Sequence, residues 1–247
     1  MKIAIIPARA GSKRLKKKNI MSFCGKPMIA YALSVANESG LFDKIHVSTD
    51  SEQIKAISEN LGYPVDFLRP ESLADDMSGL MPVMRWVLEK YASQGFQFDD
   101  IFCLMPTAIL IDPDDLKRAF DVYNNHDRNS PLLMVAPFPA PLEWAYRRDQ
   151  EGLLIPEQPG KFAIRSQDLK KAFYESGPFT IFNKKHILSD NPIGDEGFIS
   201  CILPPNKSVD IDYPEDVELA ETLFLGNLVM KSPKFKKLLI EENVRKS

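Results

Sequence analysis

Two clusters of charged residues, one near each end of the chain, have the side chains needed to bind a metal-complexed phosphate ester. The first follows an apolar run at the amino terminus and contains five bases among the six residues from Lys13 to Lys18. The second is the pair Asp210 and Asp212, which comes directly before a predicted helix. The chemistry of the chain depends on whether the fold brings these two clusters together.

The loop from Pro7 to Lys18 has the composition of an anion-binding turn. Short side chains allow consecutive backbone N–H groups to converge on phosphate oxygens, and Arg9 and the lysines supply positive charge. The loop matches neither G-x-x-x-x-G-K-[ST] nor G-x-G-x-x-G, which argues against P-loop kinases and dinucleotide-binding enzymes. Considered alone, it fits a solvated basic loop as well as a phosphate site. The residues with short side chains are Ala8, Ala10, Gly11 and Ser12.

The pair Asp210 and Asp212 has the spacing of a cation site. In an extended segment residues two apart point the same way, so both carboxylates can face one metal ion. Magnesium favours one or two carboxylates together with substrate phosphates and water. The alternative is a turn or a helix cap, but Glu215 and Asp216 can favour the helix N-terminus themselves. An anion-binding loop and a cation pair together predict a nucleoside triphosphate bound with magnesium.

The overall composition argues against several classes of protein. The chain has 247 residues, of which 44% are hydrophobic, which is enough for one large α/β domain. Its net charge of −3 argues against a protein that binds nucleic acid through the phosphate backbone. The three cysteines are far apart and form no C-x-x-C pair, as expected in a reducing cytoplasm. No stretch approaches the ~18 apolar residues of a membrane span, so we expect a soluble cytoplasmic protein.

Strand-like and helix-like segments alternate along the first half of the chain. This order predicts right-handed crossover connections and a single doubly wound, mostly parallel sheet of the α/β class. In such a sheet ligands bind at the carboxyl ends of the strands, where the loop after the first strand lies. The predicted strands are Lys2–Pro7, Lys44–Ser48, Val65–Leu68, Ile101–Met105 and Pro131–Ala136, and the predicted helices are Pro27–Glu38, Ser51–Asn60, Ser78–Ser93 and Asp112–Asn125.

The character of the sequence changes after Pro137. A proline-rich segment with short strand-like pieces predicts an insertion from about 139 to 182. Phe179–Phe182 and Ile199–Leu203 are predicted to return to the sheet, and Pro214–Leu225 is predicted to be a helix. We therefore expect a main domain over residues 1–225 and a peripheral amphipathic helix within 226–247.

The opening stretch IIPARAGSKRLKKKN is similar to a known family signature, IIPARxGSKxxxxKN. The family that it resembles is that of the acylneuraminate cytidylyltransferases, which includes the CMP-sialic acid synthetases. The similarity continues in order through GKPMIAYAL, LFDKIHVSTDSEQI, FLRPESLADD, MPTA and DIDYPEDVELAE. Two stretches, FLRPESLADDMSG and RSQDLKKAFYESG, are most similar to the branch that activates pseudaminic acid. The resemblance implies the nucleotide-diphospho-sugar transferase fold, which is similar to the Rossmann fold.

The resemblance also implies a reaction and the residues that carry it. The anomeric hydroxyl of a nine-carbon keto sugar acid, a nonulosonic acid, would attack the α-phosphate of CTP and release pyrophosphate. Such chemistry is mostly positioning and charge neutralisation. In this sequence Arg9, Ser12 and Lys18 would hold the triphosphate, Asn19 would fix the loop or the nucleotide, Arg69 and Ser78 would flank the cytidine, and Asp210 and Asp212 would bind Mg²⁺. Arg9, Lys18 and Asp212 would be the catalytic residues.

The acceptor sugar and the subunit arrangement are expected to involve the insertion. Arg165 is the candidate for the sugar carboxylate, because arginine binds carboxylates through two parallel hydrogen bonds. Gln167 could bind an N-acyl or hydroxyl group. In the family this region forms a dimerisation arm that reaches over the neighbouring subunit's site, so a homodimer is expected. Two departures, Met105 in place of glutamine and Pro178-Phe179-Thr180 after Gly177, leave the acceptor sugar open.

Several alternatives stay open at the level of sequence. The acceptor could be pseudaminic, legionaminic or N-acetylneuraminic acid. A Kdo-type cytidylyltransferase is disfavoured because that group opens with a sequence like IPARxxSxRLPGKPL. A non-catalytic nucleotide-binding module would have no need to keep Asp210 and Asp212. A nucleic-acid binder is disfavoured by the acidic charge balance and by the lack of aromatic residues among the bases.

Overall fold

The computed structural model describes residues 1–75, 79–126, 128–190, 197–234 and 237. The strands are β1 (Lys2–Pro7), β2 (Ser22–Phe23), β3 (Lys26–Pro27), β4 (Lys44–Ser48), β5 (Asp100–Leu104), β6 (Leu132–Pro137), β7 (Tyr146–Arg148), β8 (Leu154–Pro156), β9 (Phe173–Asn183) and β10 (Ile199–Ile202). The helices are α1 (Ile29–Ser39), α2 (Glu52–Asn60), α3 (Leu80–Ser93), α4 (Pro113–Asn124), α5 (Lys184–Leu188) and α6 (Pro214–Lys231).

The central sheet has six strands in the order β10-β6-β9-β5-β1-β4. β1 pairs in parallel with both β4 and β5, and β10 pairs in parallel with β6. β9 is antiparallel to both of its neighbours, β5 and β6. The predicted mostly parallel α/β sheet is therefore confirmed, with one antiparallel strand in its middle.

Helices cover both faces of the sheet because successive residues of the buried strands point to opposite sides. In β1, Ala4 and Ile6 pack into a cluster that includes residues of α1, α2 and α4. Ile3 and Ile5 pack into a second cluster with residues of α3 and α5. All four side chains are fully buried. The sheet is therefore doubly wound, as the sequence predicts.

The segment Val65–Leu68 differs from the prediction of a third strand. It is irregular, although it follows α2 and lies beside β4 at the edge of the sheet. Val65 is buried and packs into the α1–α2–α4 cluster, and this is the apolar signal that the sequence pattern detected. Side chains rather than a strand ladder hold the segment, through Asp66 and Arg69. The prediction of a strand here is wrong.

The proline-rich segment leaves the sheet after β6 and returns at Phe173. Its two short strands, β7 and β8, form an antiparallel hairpin apart from the central sheet. The predicted return of Phe179–Phe182 to the sheet is confirmed, but β9 already begins at Phe173, so the insertion ends before that residue and not at about 182. We call residues 138–172 the arm.

The carboxyl-terminal elements extend the predicted helix. α6 continues to Lys231, so it crosses the expected boundary between residues 225 and 226 without a break. Most of the predicted amphipathic helix after Ser232 lies outside the described residues. Within the described ranges, no helix is both long and apolar enough to cross a bilayer.

Candidate active site

A cleft of about 540 Å³ opens at the carboxyl ends of β1 and β5. Its lining has two chemical halves, a basic loop after β1 and an apolar wall from α3 and the end of β5. Both sequence-predicted clusters contribute to it. The lining residues are Pro7, Arg9, Gly11, Ser12, Lys13, Arg14, Leu15, Lys18, Asn19, Arg69, Gly79, Leu80, Val83, Met105, Pro106, Thr107 and Asp212.

Lys18 joins the amino-terminal cluster to the carboxyl-terminal one. Its Nζ donates to the carbonyl oxygen of Ile211 at 2.7 Å and lies 3.1 Å from Asp212 Oδ1. The side chain is only 22% exposed, so solvent screens this ion pair less than it screens a surface pair. Asn19 is buried and donates from its amide nitrogen to the Arg9 carbonyl oxygen at 3.0 Å. The predicted role of Asn19 in fixing the loop is thereby supported.

Several backbone amides of the loop are already engaged within the protein. The amide of Ala8 donates to Ser48 at the end of β4, and Ala8 itself is buried in the sheet. The amide of Ala10 donates to Asp50 Oδ1 at 2.9 Å, and the amide of Ser12 donates to the Ala10 carbonyl oxygen. The structure therefore differs from a cradle in which all of these amides converge on phosphate. Gly11 and Ser12 are the small residues that line the cleft.

The pair Asp210 and Asp212 flanks Ile211, whose side chain is fully buried. Both acids are more exposed than Ile211, as alternation along an extended segment requires. Asp212 lines the main cleft, whereas Asp210 lines a small neighbouring cavity with Gly177 and Lys207, so a single metal ion held by both carboxylates stays a prediction. Desolvation and the negative charge of Asp212 raise the pKa of Asp210. The amides of Asp212 and Tyr213 both donate to Asp216, so the helix start is capped by Asp216, as the sequence analysis proposed.

Arg14 is a site residue that the sequence analysis missed. Its guanidinium lies 2.8 Å from Asp212 Oδ2 and 5.4 Å from the centre of the Tyr213 ring. Its hydrogen bond with Tyr213 and the charge of Asp212 raise the pKa of Arg14. The family signature has a variable position here, so only the run of bases in the loop could have indicated it.

Arg69 enters the cleft from the irregular segment beside β4. It is 6% exposed, and its Nη2 and Nε donate to the carbonyl oxygen and hydroxyl of Ser48 at 2.6 and 3.1 Å. Its own amide donates to the Thr49 carbonyl oxygen at 2.7 Å. Burial lowers the pKa of Arg69. The residues that follow β4 thus orient both Arg69 and, through Asp50, the basic loop.

The second wall of the cleft is apolar. Leu80 and Val83 project from the start of α3, and Met105 and Pro106 follow β5. The amide of Met105 donates to the Pro178 carbonyl oxygen at 2.9 Å, which ties this wall to β9. Ser78, predicted to flank the cytidine, lies outside the described residues.

The two predicted sugar-binding residues lie on the arm. Arg165 precedes a short 3-10 turn over Ser166–Asp168 and is exposed. Gln167 lines a separate cavity of about 350 Å³ at the base of the arm, together with Phe138 and Lys170. The structure thus places both residues away from the lining of the main cleft in the same protomer.

The three histidines have structural partners. His46 is fully buried in β4, and its Nδ1 lies 3.0 Å from Tyr91 Oη. His126 and His186 form hydrogen bonds with the carbonyl oxygens of Val122 and Asn129. These contacts make His46 a structural residue, and the other two histidines are held by backbone carbonyl oxygens.

The acid pair has the chemistry of a magnesium site. Asp210 and Asp212 provide hard oxygen ligands, and desolvation together with the charge of Asp212 raises the pKa of Asp210, a repulsion that a cation would relieve. Lys18 and Arg14 balance the charge of Asp212 in this structure. Among the described residues, no group of three or more His, Cys, Asp and Glu side chains is arranged around a metal site. A magnesium ion would therefore depend on substrate phosphates for further ligands.

The fold and the cleft define a class of protein. A doubly wound sheet carries, at the carboxyl edge of its strands, a basic loop that meets the carboxylate of Asp212. This is the arrangement of an α/β nucleotide-binding protein.

The chain belongs to the cytidylyltransferase family, whose model matches residues 3–238. It is 33% identical over 225 residues to a pseudaminic acid cytidylyltransferase of Campylobacter jejuni, covering 91% of this chain and 97% of that protein. It is 32% identical to a CMP-N,N'-diacetyllegionaminic acid synthase of Legionella pneumophila, covering 90% and 95% of the two chains. The resemblance found in the sequence is thereby confirmed.

The fold is shared with a solved structure of much lower sequence similarity. The CMP:2-keto-3-deoxy-manno-octonic acid synthetase complexed with CTP superposes with a TM-score of 0.69 at 15% identity. The match covers 92% of this chain and 99% of that one. The likeness establishes the nucleotidyltransferase type of fold.

Proposed function

We propose that this protein transfers CMP from CTP to the anomeric hydroxyl of a nonulosonic acid and releases pyrophosphate, with pseudaminic acid as the acceptor. The observation that carries the proposal is the meeting of the basic loop and Asp212 in one cleft, where Lys18 Nζ lies 3.1 Å from Asp212 Oδ1. The names of the two relatives point to this class of acceptor, and the pseudaminic acid cytidylyltransferase has the higher identity of the two.

The basic half of the cleft supplies the triphosphate site in this proposal. Arg9, Ser12 and Lys18 would bind the phosphates, with Arg14 as an additional base at the same wall. Fixed positive charge aimed at the phosphates stabilises the charge that develops as pyrophosphate leaves. Arg69 would contact the cytidine, as would Ser78, and the apolar wall of Leu80, Val83 and Met105 could pack against a ring.

The acid pair would hold a magnesium ion. Asp210 and Asp212 are the ligands we assign, and Arg14 and Lys18 would then move from Asp212 toward the phosphates. When bound, the ion would supply a Lewis acid that neutralises phosphate charge and favours deprotonation of the attacking hydroxyl.

The arm would complete the acceptor site across a homodimer. Arg165 and Gln167 lie away from the cleft of their own protomer, so we assign them to the cleft of a second copy. The arm also exposes a group of large apolar side chains, as an unpaired interface does. These are Phe138, Leu142, Tyr146, Leu153, Leu154, Ile155 and Phe162.

The proposal is tested by pyrophosphate release from the purified protein with CTP and Mg²⁺. Pseudaminic, legionaminic, N-acetylneuraminic and 3-deoxy-manno-octulosonic acids are supplied in parallel, with reactions lacking acceptor or metal as controls. We expect release that requires an acceptor and is fastest with pseudaminic acid. Release with another acid would correct the acceptor. CTP binding without release in any reaction would favour a non-catalytic nucleotide-binding role.

A further inference from the structure

We propose that Asp66, Lys44 and Tyr91 form a clamp that positions Arg69 in the cleft. The inference rests on the proposed function, because it takes Arg69 as a contact of the nucleotide. The starting observation is that Arg69 is carried by a segment without regular structure, yet its side chain is buried and oriented. Something other than a strand ladder must therefore fix that segment.

The first attachment of the segment is at Asp66. Lys44 Nζ, at the start of β4, lies 2.6 Å from Asp66 Oδ2, and Tyr91 Oη of α3 donates to the same oxygen at 2.5 Å. Burial opposes ionisation of Asp66, but the hydrogen bonds from Lys44 and Tyr91 lower its pKa overall. Because Tyr91 gives its single proton to Asp66, the nearby Nδ1 of His46 acts as the donor to Tyr91. Asp66 is thus tied to the sheet and to α3 at once.

The residue between Asp66 and Arg69 strengthens this attachment. The ring of Phe67 lies 4.6 Å from His46, 5.0 Å from Tyr91 and 5.2 Å from Trp86, measured between ring centres. Aromatic pairs at such distances favour defined edge-to-face geometry over free rotation. Phe67 therefore anchors the segment in the same place as the Asp66 hydrogen bonds.

The second attachment is at Arg69 itself, through Ser48 and Thr49 at the end of β4. The two attachments use opposite ends of one strand, since Lys44 and His46 lie at its start and middle and Ser48 at its end. The segment is thus stretched alongside β4 and held by side chains at both ends. Loss of the Asp66 end would leave the guanidinium on a backbone that can shift, and small displacements of a binding group cost affinity steeply.

A double-mutant cycle measures this coupling. We compare Asp66→Asn, Arg69→Ala and the double variant by calorimetric titration with CTP, and by steady-state kinetics. We expect Asp66→Asn to raise the Kd and the KM for CTP roughly tenfold, the range of coupling within one hydrogen-bond network, with little change in kcat or in the KM for the acceptor. In the Arg69→Ala background the same substitution should have little further effect on CTP binding.

Three further variants distinguish loss of the clamp from a general loss of folding. Lys44→Met alters a side chain that is 30% exposed and should raise the Kd for CTP as Asp66→Asn does. Lys44→Arg keeps the positive charge and should bind CTP as the unaltered protein does. Asp100→Asn is the matched control, because Asp100 is a buried acid paired with Arg128 at the opposite, amino-terminal edge of the sheet. It should lower thermal stability without changing the Kd for CTP.

The outcomes separate this inference from the proposed function. Unchanged CTP affinity in both Asp66→Asn and Lys44→Met, while the unaltered protein binds CTP, would overturn the clamp and leave the function standing. An equal loss of affinity with and without Arg69 would also overturn it, since the effect would not pass through that residue. Failure of the unaltered protein to bind CTP would overturn both.

Discussion

Lys18 and Arg14 hold the two oxygens of Asp212 from two positions of one loop. This geometry explains how a chain with net charge −3 can concentrate positive charge locally without destabilising itself, since part of that charge is balanced across the cleft. The sequence alone indicated Lys18 through the basic loop and the family signature, and Asp212 through the spacing of the acid pair. It could not indicate Arg14 or the Ser48–Asp50 stretch, because pairing across the cleft depends on how the loop turns after β1.

Asp212 is the acid whose loss should separate binding from chemistry. We expect Asp212→Asn to abolish pyrophosphate release while CTP binding stays measurable, because the amide keeps the shape but gives up a charged metal ligand. Turnover and calorimetric binding of CTP are the measurements. Glu215→Gln, in the exposed first turn of α6, is the matched control and should retain turnover. Activity of Asp212→Asn near that of the unaltered protein would contradict the assignment of the metal ligand.

His46 should make the free energy of unfolding depend on pH. Burial, with smaller contributions from Lys44 and Arg69, lowers the pKa of His46 from 6.5 to about 3, although Asp66 opposes the shift. Below pH 6.5 the imidazole of His46 is protonated in the unfolded chain but stays neutral in the folded protein. The contribution of His46 to the free energy of unfolding is therefore present above pH 6.5 and is lost as the pH falls below it. A single such group accounts for about 1.4 kcal/mol per pH unit.

Denaturant unfolding between pH 7 and pH 5 measures this effect. The variant His46→Gln lacks the titrating imidazole and should show a flatter profile by about that slope. His126→Gln removes an exposed imidazole and serves as the control. An unchanged profile in His46→Gln would show that the buried imidazole does not control the acid sensitivity.

At the scale of elements, hydrophobic periodicity predicted the helices and most strands within a few residues. Turn and cap residues set the boundaries well, as with Ser51, whose side chain accepts from the Ile54 amide, and Asp112, which forms a capping box with Asp115. The two errors, at Val65–Leu68 and at β9, both concern structure that depends on contacts between segments far apart in the sequence. Val65–Leu68 has a buried residue but is held by side chains, and the antiparallel insertion of β9 depends on pairings that lie far apart in sequence.

Lys207 ties the turn after β10 to the start of α4 and should be an important source of stability. Its Nζ lies 2.8 Å from Asp112 Oδ2 and 2.6 Å from Asp115 Oδ2 at the start of α4, and it is 16% exposed. Lys207→Met leaves two poorly solvated carboxylates without their main partner. We expect a loss of about 2 kcal/mol in the free energy of unfolding, measured by denaturant titration.

Lys231 provides the matched control for this prediction. It lies 2.8 Å from the same Asp112 oxygen but is 63% exposed, so Lys231→Met should cost less than about 1 kcal/mol. Equal effects of the two substitutions would contradict the view that burial of Lys207 decides the energy. Since Asp112 has its pKa lowered by Lys207 and Lys231, the contribution should also fade in strong acid, as that carboxylate takes up a proton.

For the molecule as a whole, the arm is the part whose purpose a single chain does not explain. The side chains of Leu153, Leu154 and Phe162 are 65%, 57% and 68% exposed, although contiguous apolar groups of this size are usually buried. The sequence predicted the departure of the chain from the sheet after Pro137. The location of Arg165 and Gln167, away from the cleft, follows only from the folded arm.

A homodimer in which each arm serves the partner's cleft predicts complementation between inactive variants. Arg165→Ala removes the arm contact and Asp212→Asn removes the metal ligand, so each homodimer should be inactive. Random pairing on co-expression would make about half of the dimers mixed. Each mixed dimer has one cleft with both an intact Asp212 and an intact arm, so activity should return to about a quarter of the unaltered level.

Light scattering of the mixture checks that it is dimeric. Arg147→Ala, on the same arm and 83% exposed, should retain full activity as the control. A dimeric mixture that stays inactive would assign Arg165 to the cleft of its own subunit, because only an arm that crosses between copies can restore a cleft that neither parent possesses. An active Arg165→Ala homodimer would remove Arg165 from the site.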